Sequence, residues 1–282
     1  MRVFPPLSEL AIRAQLSAGS VQALQQLSLL DEVGSTNAFL LQLPASELHA
    51  HALLAEQQIA GRGRRGKSWQ SPPGSNIYLS LGWIFESTAR DLSCLSLVAG
   101  VAAVRALESL GIVGAGLKWP NDIHADGRKL GGILLESRAA SGGRAAVVMG
   151  IGINVAMPLD EVSAQAIDQP WTSVTRLPGV EPVSDLRDRL AGAVLEQLLT
   201  SLNTFEDAGF QVFRDDWSRL DILLNQPVVA KTAEGEIYGQ AIGIDGQGNL
   251  QVAEQLPAGQ EQVHSFNSAE VSVRRTDPAN KK

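Results

Sequence analysis

Cysteine is nearly missing from the 282-residue chain: Cys94 is its only one. A disulfide scaffold and a Cys-rich metal site are therefore excluded, which suits a reducing compartment. The four histidines are scattered and show no zinc-type spacing. Aromatic residues make up only 5%, and 30 acidic against 23 basic residues leave a net charge of −7. Duplex binding needs a basic face and single-strand binding needs stacking rings, so no DNA partner is expected. The start, Met1-Arg2-Val3-Phe4-Pro5-Pro6, lacks the apolar core of a signal peptide. The longest apolar run, around residues 95–104, stops at Arg105, too short to span a bilayer. The expectation is a soluble cytoplasmic protein with no membrane partner. What is present is an ordinary globular composition, 44% hydrophobic, which excludes disorder. The length allows one large domain, or a large one with a small one.

The pattern along the chain gives an α+β organisation, a mixed sheet flanked by helices. Residues 1–30 form a helical lead-in, with a helix over 7–19 that Ser8 caps and Gly19 follows. Residues 31–224 alternate strand and helix patterns. Residues 76–83 read as a strand after a Pro-Pro-Gly turn. Residues 91–110 read as a helix, capped by Asp91 or Ser93 and closed by Gly111, apolar nearly all round and hence buried. Residues 117–119 and 132–137 read as paired strands, and 145–150 as another strand. Residues 184–208 form an amphipathic helix with Leu186, Leu190, Val194, Leu198 and Leu202 on one face, ended by Gly209. Phe210, Phe213, Trp217 and Leu220 continue a second apolar stripe that reads as core. Over residues 225–275 the turn formers Glu234-Gly235, Asp245-Gly246-Gln247-Gly248 and Pro257-Ala258-Gly259 separate five short strands, a small β-barrel. Residues 276–282 are a tail.

Gly61-Arg62-Gly63-Arg64-Arg65-Gly66-Lys67-Ser68 satisfies the Walker A pattern. A phosphate loop of that kind needs a buried strand before it and a helix after it. Upstream, Glu56-Gln57-Gln58 is polar, and downstream Pro72 and Pro73 stop a helix. The Walker reading is rejected. Four cations in six residues, with glycines between them and Trp69 beside them, still stand out in an acidic chain. They read either as a solvated basic loop or as a mobile anion-binding loop, and arginine forks suit carboxylate and phosphate. The glycines and Trp69 favour the second.

Four further segments then matter together. They are Ser35-Thr36-Asn37, Lys118-Trp119-Pro120-Asn121-Asp122, Lys129-Leu130-Gly131-Gly132-Ile133-Leu134-Leu135-Glu136, and Gly150-Ile151-Gly152-Ile153-Asn154-Val155. With the arginine loop, in this order and spacing, the chain resembles the biotin protein ligases over about residues 31–274. The resemblance implies a catalytic domain like that of class II aminoacyl-tRNA synthetases and a C-terminal SH3-like barrel. It also implies two steps: biotin and ATP give biotinyl-5′-AMP, and a lysine of a biotin carboxyl carrier protein domain, of acetyl-CoA carboxylase or a similar carboxylase, then takes the biotin. Some members carry an N-terminal winged helix that represses transcription. The 30-residue lead-in has no room for one, so a single-function ligase is expected.

The same resemblance assigns the residues. Lys129 becomes the main catalytic cation, with Arg64, Lys118 and Asp122 beside it, and Asp122 is a candidate ligand for Mg²⁺. Biotin falls to Ser35, Thr36, Asn37, Gln58, Arg62, Gly63, Arg64, Lys129, Gly132, Gly150 and Gly152. ATP falls to Arg62, Arg64, Arg65, Trp69, Lys118, Asn121 and Asn154, with Trp69 over the adenine. Gly131 joins the other glycines as a wall without side chains. Each has a plainer reading: Lys129 as a turn lysine, Ser35 or Thr36 as a helix cap, Asp122 as turn chemistry, Trp69 as core. The rivals are a lipoate–protein ligase of the same fold, a non-catalytic nucleic-acid module, and an inactive adenylate binder. An exposed sheet edge leaves room for a homodimer.

Overall fold

The computed structural model describes residues 3–86, 92–157, 167, 169–268 and 271–275. Its main layer is a seven-stranded sheet of order β1-β2-β3-β7-β6-β5-β4. The strands are β1 (Gln26–Val33), β2 (His51–Gln58), β3 (Ile77–Phe85), β4 (Ala115–Lys118), β5 (Asp122–Ala125), β6 (Arg128–Ala140) and β7 (Arg144–Ile153). β1 and β2 pair in parallel; every other neighbour is antiparallel. Side chains alternate across a strand, and this sequence separates them cleanly. Ile77, Leu79, Leu81, Trp83 and Phe85 of β3, with Val147, Met149, Ile151 and Ile153 of β7, enter the larger core. That core is closed by α5 (Leu95–Ser109) and α6 (Leu186–Ala208), backed by α1 (Glu9–Arg13), α2 (Ala18–Ala23) and α7 (Arg214–Leu220).

The opposite face carries a smaller cluster under α3 (Thr36–Gln42) and α4 (Ala45–Leu48). Leu40, Leu48, Leu53, Ile84, Ala146 and Val148 form it. Its remaining positions belong to the same alternating set: Tyr78, Gly150, Gly152, Gly132 and Leu134 floor an open cavity, and Ser80 is buried among them. One sheet thus has a sealed face and a working face.

The C-terminal strands β8 (Pro227–Lys231), β9 (Glu236–Ile244), β10 (Leu250–Gln255), β11 (Glu261–Phe266) and β12 (Ser272–Arg275) form an antiparallel sheet of order β11-β10-β9-β8-β12, an SH3-like unit. It docks on the main sheet near the cavity. Trp119 Nε1 donates to the Gly248 carbonyl at 3.0 Å, Cys94 Sγ to the Gln247 carbonyl at 2.9 Å, and Arg64 to the Ser268 carbonyl. The backbone of the connection joins too, Ile222 N donating to the Leu117 carbonyl at 2.9 Å.

Several local expectations are corrected. Helix 7–19 is two helices: Ser8 caps α1, but the chain breaks and Ser17 caps α2, which contains Gly19. β1 starts at Gln26, inside the expected lead-in. Residues 117–119 and 132–137 do not pair; β5 lies between them. α5 starts at Leu95 after a 3₁₀ turn, and Ser93 supplies no cap; Asp91 lies outside the described residues. Gly111 (φ 76°) and Gly209 (φ 74°) do end α5 and α6, in the left-handed region glycine tolerates. The stretch 92–109 is apolar enough to cross a membrane, but 67% of it is buried inside the protein, as a core helix requires. The tail 276–282 lies outside the described residues.

The loop's flanks meet one of the two Walker requirements. A buried strand, β2, does feed the loop, because Glu56 is hidden by an ion pair with Arg187. No α-helix follows: Trp69 runs through Pro72 and Pro73 into β3.

Candidate active site

The cavity on the working face has a volume of about 310 Å³, at the lower end of ligand-sized pockets. All seventeen residues expected to bind biotin or ATP or to act in catalysis line it, from Ser35 to Asn154. Adjacent strands bring them together. The one exception among the wall glycines is Gly131, where a Cβ would meet the Gly152 carbonyl at 2.7 Å and Ile123 at 3.2 Å, so it serves packing.

At one end the lining is polar, neutral and tightly bonded. Ser35 caps α3, accepting from Ala38 N at 3.4 Å, so this helix mouth presents Thr36 and Asn37 to the cavity. Thr36 N and Oγ1 donate to Gln58 Oε1 at 2.9 and 3.1 Å. Ser80 Oγ lies 2.7 Å from Thr36 Oγ1 and 2.6 Å from Asn37 Oδ1, its one proton donated between them. Asn37 Nδ2 donates to the Leu134 carbonyl at 3.1 Å and to Glu136 Oε2 at 2.9 Å. A Cβ at Gly150 would come within 2.4 Å of Asn37 Oδ1, so only glycine lets Asn37 lie flat on β7.

The other end is cationic. Arg64, Arg65, Lys67, Lys118 and Lys129 line the cavity here, with Arg62 nearer the neutral set, against one carboxylate, Asp122, among the described residues. Lys129 Nζ sits 2.7 Å from Asp122 Oδ1 and 5.5 Å from the Trp69 ring centroid. Arg64 donates to Asn121 Oδ1 at 3.2 Å, and Asn121 is held by the Ile133 carbonyl at 2.7 Å. Burial lowers the Arg64 guanidinium pKa. Burial likewise lowers that of the Lys118 ammonium; Asp122 opposes this, while Lys129, Arg274 and Arg275 reinforce it. Arg65 holds a left-handed backbone (φ 55°) inside the loop, a strained geometry that belongs at ligand clamps.

Between the ends, Trp69 lies on the glycine wall, a Cβ at Gly152 reaching its ring at 2.6 Å and one at Gly132 at 3.3 Å. It is half-buried, neither core nor free. Asn154 Nδ2 is tied to the Thr172 carbonyl at 3.1 Å, while its buried Oδ1 has no partner, and neither has Trp69 Nε1.

Sequence reasoning missed four residues here. Ser80 is a serine between Leu79 and Leu81 on a buried strand, and that lone polar position was the available signal. Ser71 accepts from Gln58 Nε2 at 3.1 Å. Trp171 lines the cavity beneath the Arg176 guanidinium, 4.6 Å from its ring centroid, brought there by Thr172 N donating to the Lys129 carbonyl. Glu136 reaches Arg62 at 3.2 Å. Val273 of β12 and Val271 just before that strand also line the cavity.

No cluster of three or more His, Cys, Asp or Glu side chains suits a metal among the described residues. Asp122 alone faces the cationic end, and its carboxylate is held by Lys129.

Residues 30–154 match the Biotin/lipoate A/B protein ligase family, and residues 223–274 the Biotin protein ligase C terminal domain. The bifunctional ligase/repressor BirA of Escherichia coli is 37% identical over 239 residues, 85% of this chain and 71% of its own length. The chain belongs to the biotin protein ligase family. The biotin–[acetyl-CoA-carboxylase] ligase of Mycobacterium tuberculosis is 34% identical, over 88% of this chain and 91% of its own. A solved biotin protein ligase from Aquifex aeolicus, in complex with biotin and ATP, superposes with a TM-score of 0.72 at 27% identity, covering 89% of this chain and all of that one. For a biotin ligase the two chemically different ends of one cavity match a substrate that is neutral at one end and a carboxylate at the other.

Proposed function

We propose that this ligase activates biotin with ATP to biotinyl-5′-AMP and pyrophosphate, and passes the biotinyl group to a lysine of a biotin carboxyl carrier protein domain. The observation that carries it is the cavity's polarity, six lining cations against one carboxylate, five of them away from a neutral hydrogen-bonding set that Arg62 adjoins. A urea is neutral, with donors and an acceptor. Thr36, Asn37, Gln58 and Ser80 offer matching groups, with Ser35 and Gly150 shaping the space. Lipoate has no urea and would set an apolar ring against these polar groups with no hydrogen bond in return, which costs affinity.

In the first step the biotin carboxylate attacks the α-phosphorus, and the bond to the β-phosphate oxygen breaks. Two anions must meet, so fixed positive charge lowers the barrier. Lys129 sits where carboxylate and α-phosphate come together, with Asp122 aligning its ammonium. Arg62, Gly63 and Arg64 cover the biotin tail; Arg65, Lys118 and Asn121 lie on the phosphate side. Asn154 Oδ1, an unpaired acceptor, suits the adenine amino group, between Trp69 and Trp171. Asp122 is the one lining carboxylate among the described residues that would hold Mg²⁺ carried by the nucleotide, and the ion would supply further positive charge at the phosphates. In the second step the carrier lysine amine attacks the acyl carbon, loses a proton, and AMP leaves with the electrons of the acyl–oxygen bond.

The buried Cys94 thiol suits a reducing, ATP-rich cytoplasm. The edge of β4 is taken by the connection at Asp221 and Ile222, so β1 is the edge where a homodimer would extend the sheet. The test is to mix the protein with ATP, biotin and a carrier domain. Pyrophosphate release and carrier biotinylation are expected; turnover with lipoate but not biotin would overturn the reading.

A further inference from the structure

The arginine loop is tied at both ends to the same hydrogen-bonded set. At its start, Arg62 Nη2 reaches Glu136 at 3.2 Å. Glu136 Oε2 also accepts from Asn37 Nδ2 at 2.9 Å. Asn37 meets Ser80, Ser80 meets Thr36, and Thr36 meets Gln58. Gln58 then reaches Ser71, which bonds the Trp69 carbonyl at 3.2 Å at the loop's far end. The neck is narrow: Trp69 N donates to the Gly61 carbonyl at 2.9 Å, and a Cβ on Gly61 would touch Ser71 and Gln58. The circuit runs from one end of the loop to the other through the groups that the proposed reading gives to the urea.

Within the circuit Glu136 has a distinct place. It lies outside the cavity lining and carries the only charge between the neutral groups and Arg62. Its side chain is 25% exposed and that of Arg62 44%, so the pair can open without a large desolvation cost. A ligand that takes hydrogen bonds from Asn37 or Ser80 alters the contact on one carboxylate oxygen and thereby the hold on Arg62. We infer that Glu136 is a positioning residue, holding Arg62 across the head-group end so that the loop retains biotin once the head pocket is filled. The inference rests on the biotin reading of that pocket. Glu136 touches no reacting atom, so it acts on retention rather than on chemistry.

The experiment uses the full chain with biotin, ATP and a carrier domain. In Glu136→Ala, the KM for biotin and the biotin dissociation rate should rise about 5–10-fold, while kcat at saturating biotin stays within about twofold. Glu136→Gln keeps an acceptor for Asn37 and Arg62 without the charge, and should recover roughly half of that effect. Its remaining deficit should shrink as salt is raised, because wild type then loses the same attraction. Biotin should also protect residues 61–71 from protease less well in Glu136→Ala. Acting through Arg62 means that Glu136→Ala adds little to Arg62→Ala in a double-mutant cycle. Unchanged KM and dissociation rate in Glu136→Ala, or full additivity with Arg62→Ala, would overturn the inference. A fall in thermal stability with those constants unmoved would show a structural role only, and would also overturn it. Wild type that neither binds biotin nor releases pyrophosphate would instead sink the reading beneath it.

Discussion

Two acid–base pairs of similar length do opposite work. Glu56 of β2 and Arg187 of α6 meet at 3.0 Å beneath the sheet's sealed face, their side chains 5% and 1% exposed. Asp122 and Lys129 meet at 2.7 Å on the working face, 19% and 15% exposed. The first pair is roofed by the lead-in: Leu7 N donates to Glu56 Oε1 at 2.6 Å, Arg187 Nη1 to the Pro5 carbonyl at 3.3 Å, and Phe4 is buried in the core. No ligand can reach it. The second pair opens into a cavity where anions can replace Asp122 as the partner of Lys129. Distance alone therefore does not separate a structural ion pair from a functional one; access to a competing anion does.

The largest effect that should separate them is in chemistry. Lys129→Ala removes the cation aimed at the developing charge, and adenylate formation should fall on the order of 10³-fold. Its unfolding midpoint should barely move, since Asp122 can then be solvated from the cavity. Single-turnover pyrophosphate release beside a thermal melt checks both halves; a stable variant with near-normal turnover would break the comparison. Arg187→Met should do the reverse. It leaves Glu56 charged and buried, at a cost of about 3–5 kcal/mol, while turnover per folded molecule stays within about twofold. The double variant Glu56→Gln with Arg187→Met should regain much of that stability in urea unfolding, because no unpaired charge remains.

These pairs also show what could be read beforehand. The strands at residues 76–83 and 145–150 were visible, and so were the five motifs, because each lies on one strand or turn. Their meeting in one cavity follows from strand neighbours that periodicity does not reveal; β5 between residues 117–119 and 132–137 was missed for that reason. Glu56 looked like a reason to deny a buried strand, since its partner lies 131 positions away. Arg187 in fact falls three residues before Leu190 and seven before Val194, on the buried helical face. Trp171 and Val273 were beyond reach because long connections deliver them.

A third, half-buried acid sharpens the contrast, having no cationic partner at hydrogen-bond range among the described residues. Asp221 joins α7 to the small C-terminal sheet, its Oδ1 accepting from Leu223 N at 2.8 Å and its buried Oδ2 unpaired. Burial pushes its pKa up to about 6, with the backbone bonds and Arg275 opposing. Unfolded, it ionises near 3.8, so the unfolded state releases its proton first and stability is lost as pH rises from about 4 to 6. His124 runs the other way: burial lowers its pKa to about 4 from 6.5, so acidification through that window costs stability. Asp221→Asn keeps the Oδ1 acceptor without the charge. It should raise the melting temperature by about 2–4 °C at pH 8, and the gain should vanish by about pH 3.5, below both pKa values. An equal gain at both values would show that charge is not the cause.

The smallest expected effect comes from a pair with neither burial nor a competing ligand. Glu9 and Arg13 of α1 meet at 2.7 Å one helical turn apart, with side chains 51% and 34% exposed. Water and salt screen the attraction, and two long side chains lose freedom to hold it, so the pair contributes about 0.3–0.5 kcal/mol. Arg13→Gln should shift the urea midpoint only slightly at low salt and not at all in 0.5 M salt, with turnover unchanged. This pair is no longer than Lys129–Asp122, so a loss as large as that of Arg187→Met would mean that geometry, not surroundings, sets what an ion pair does here.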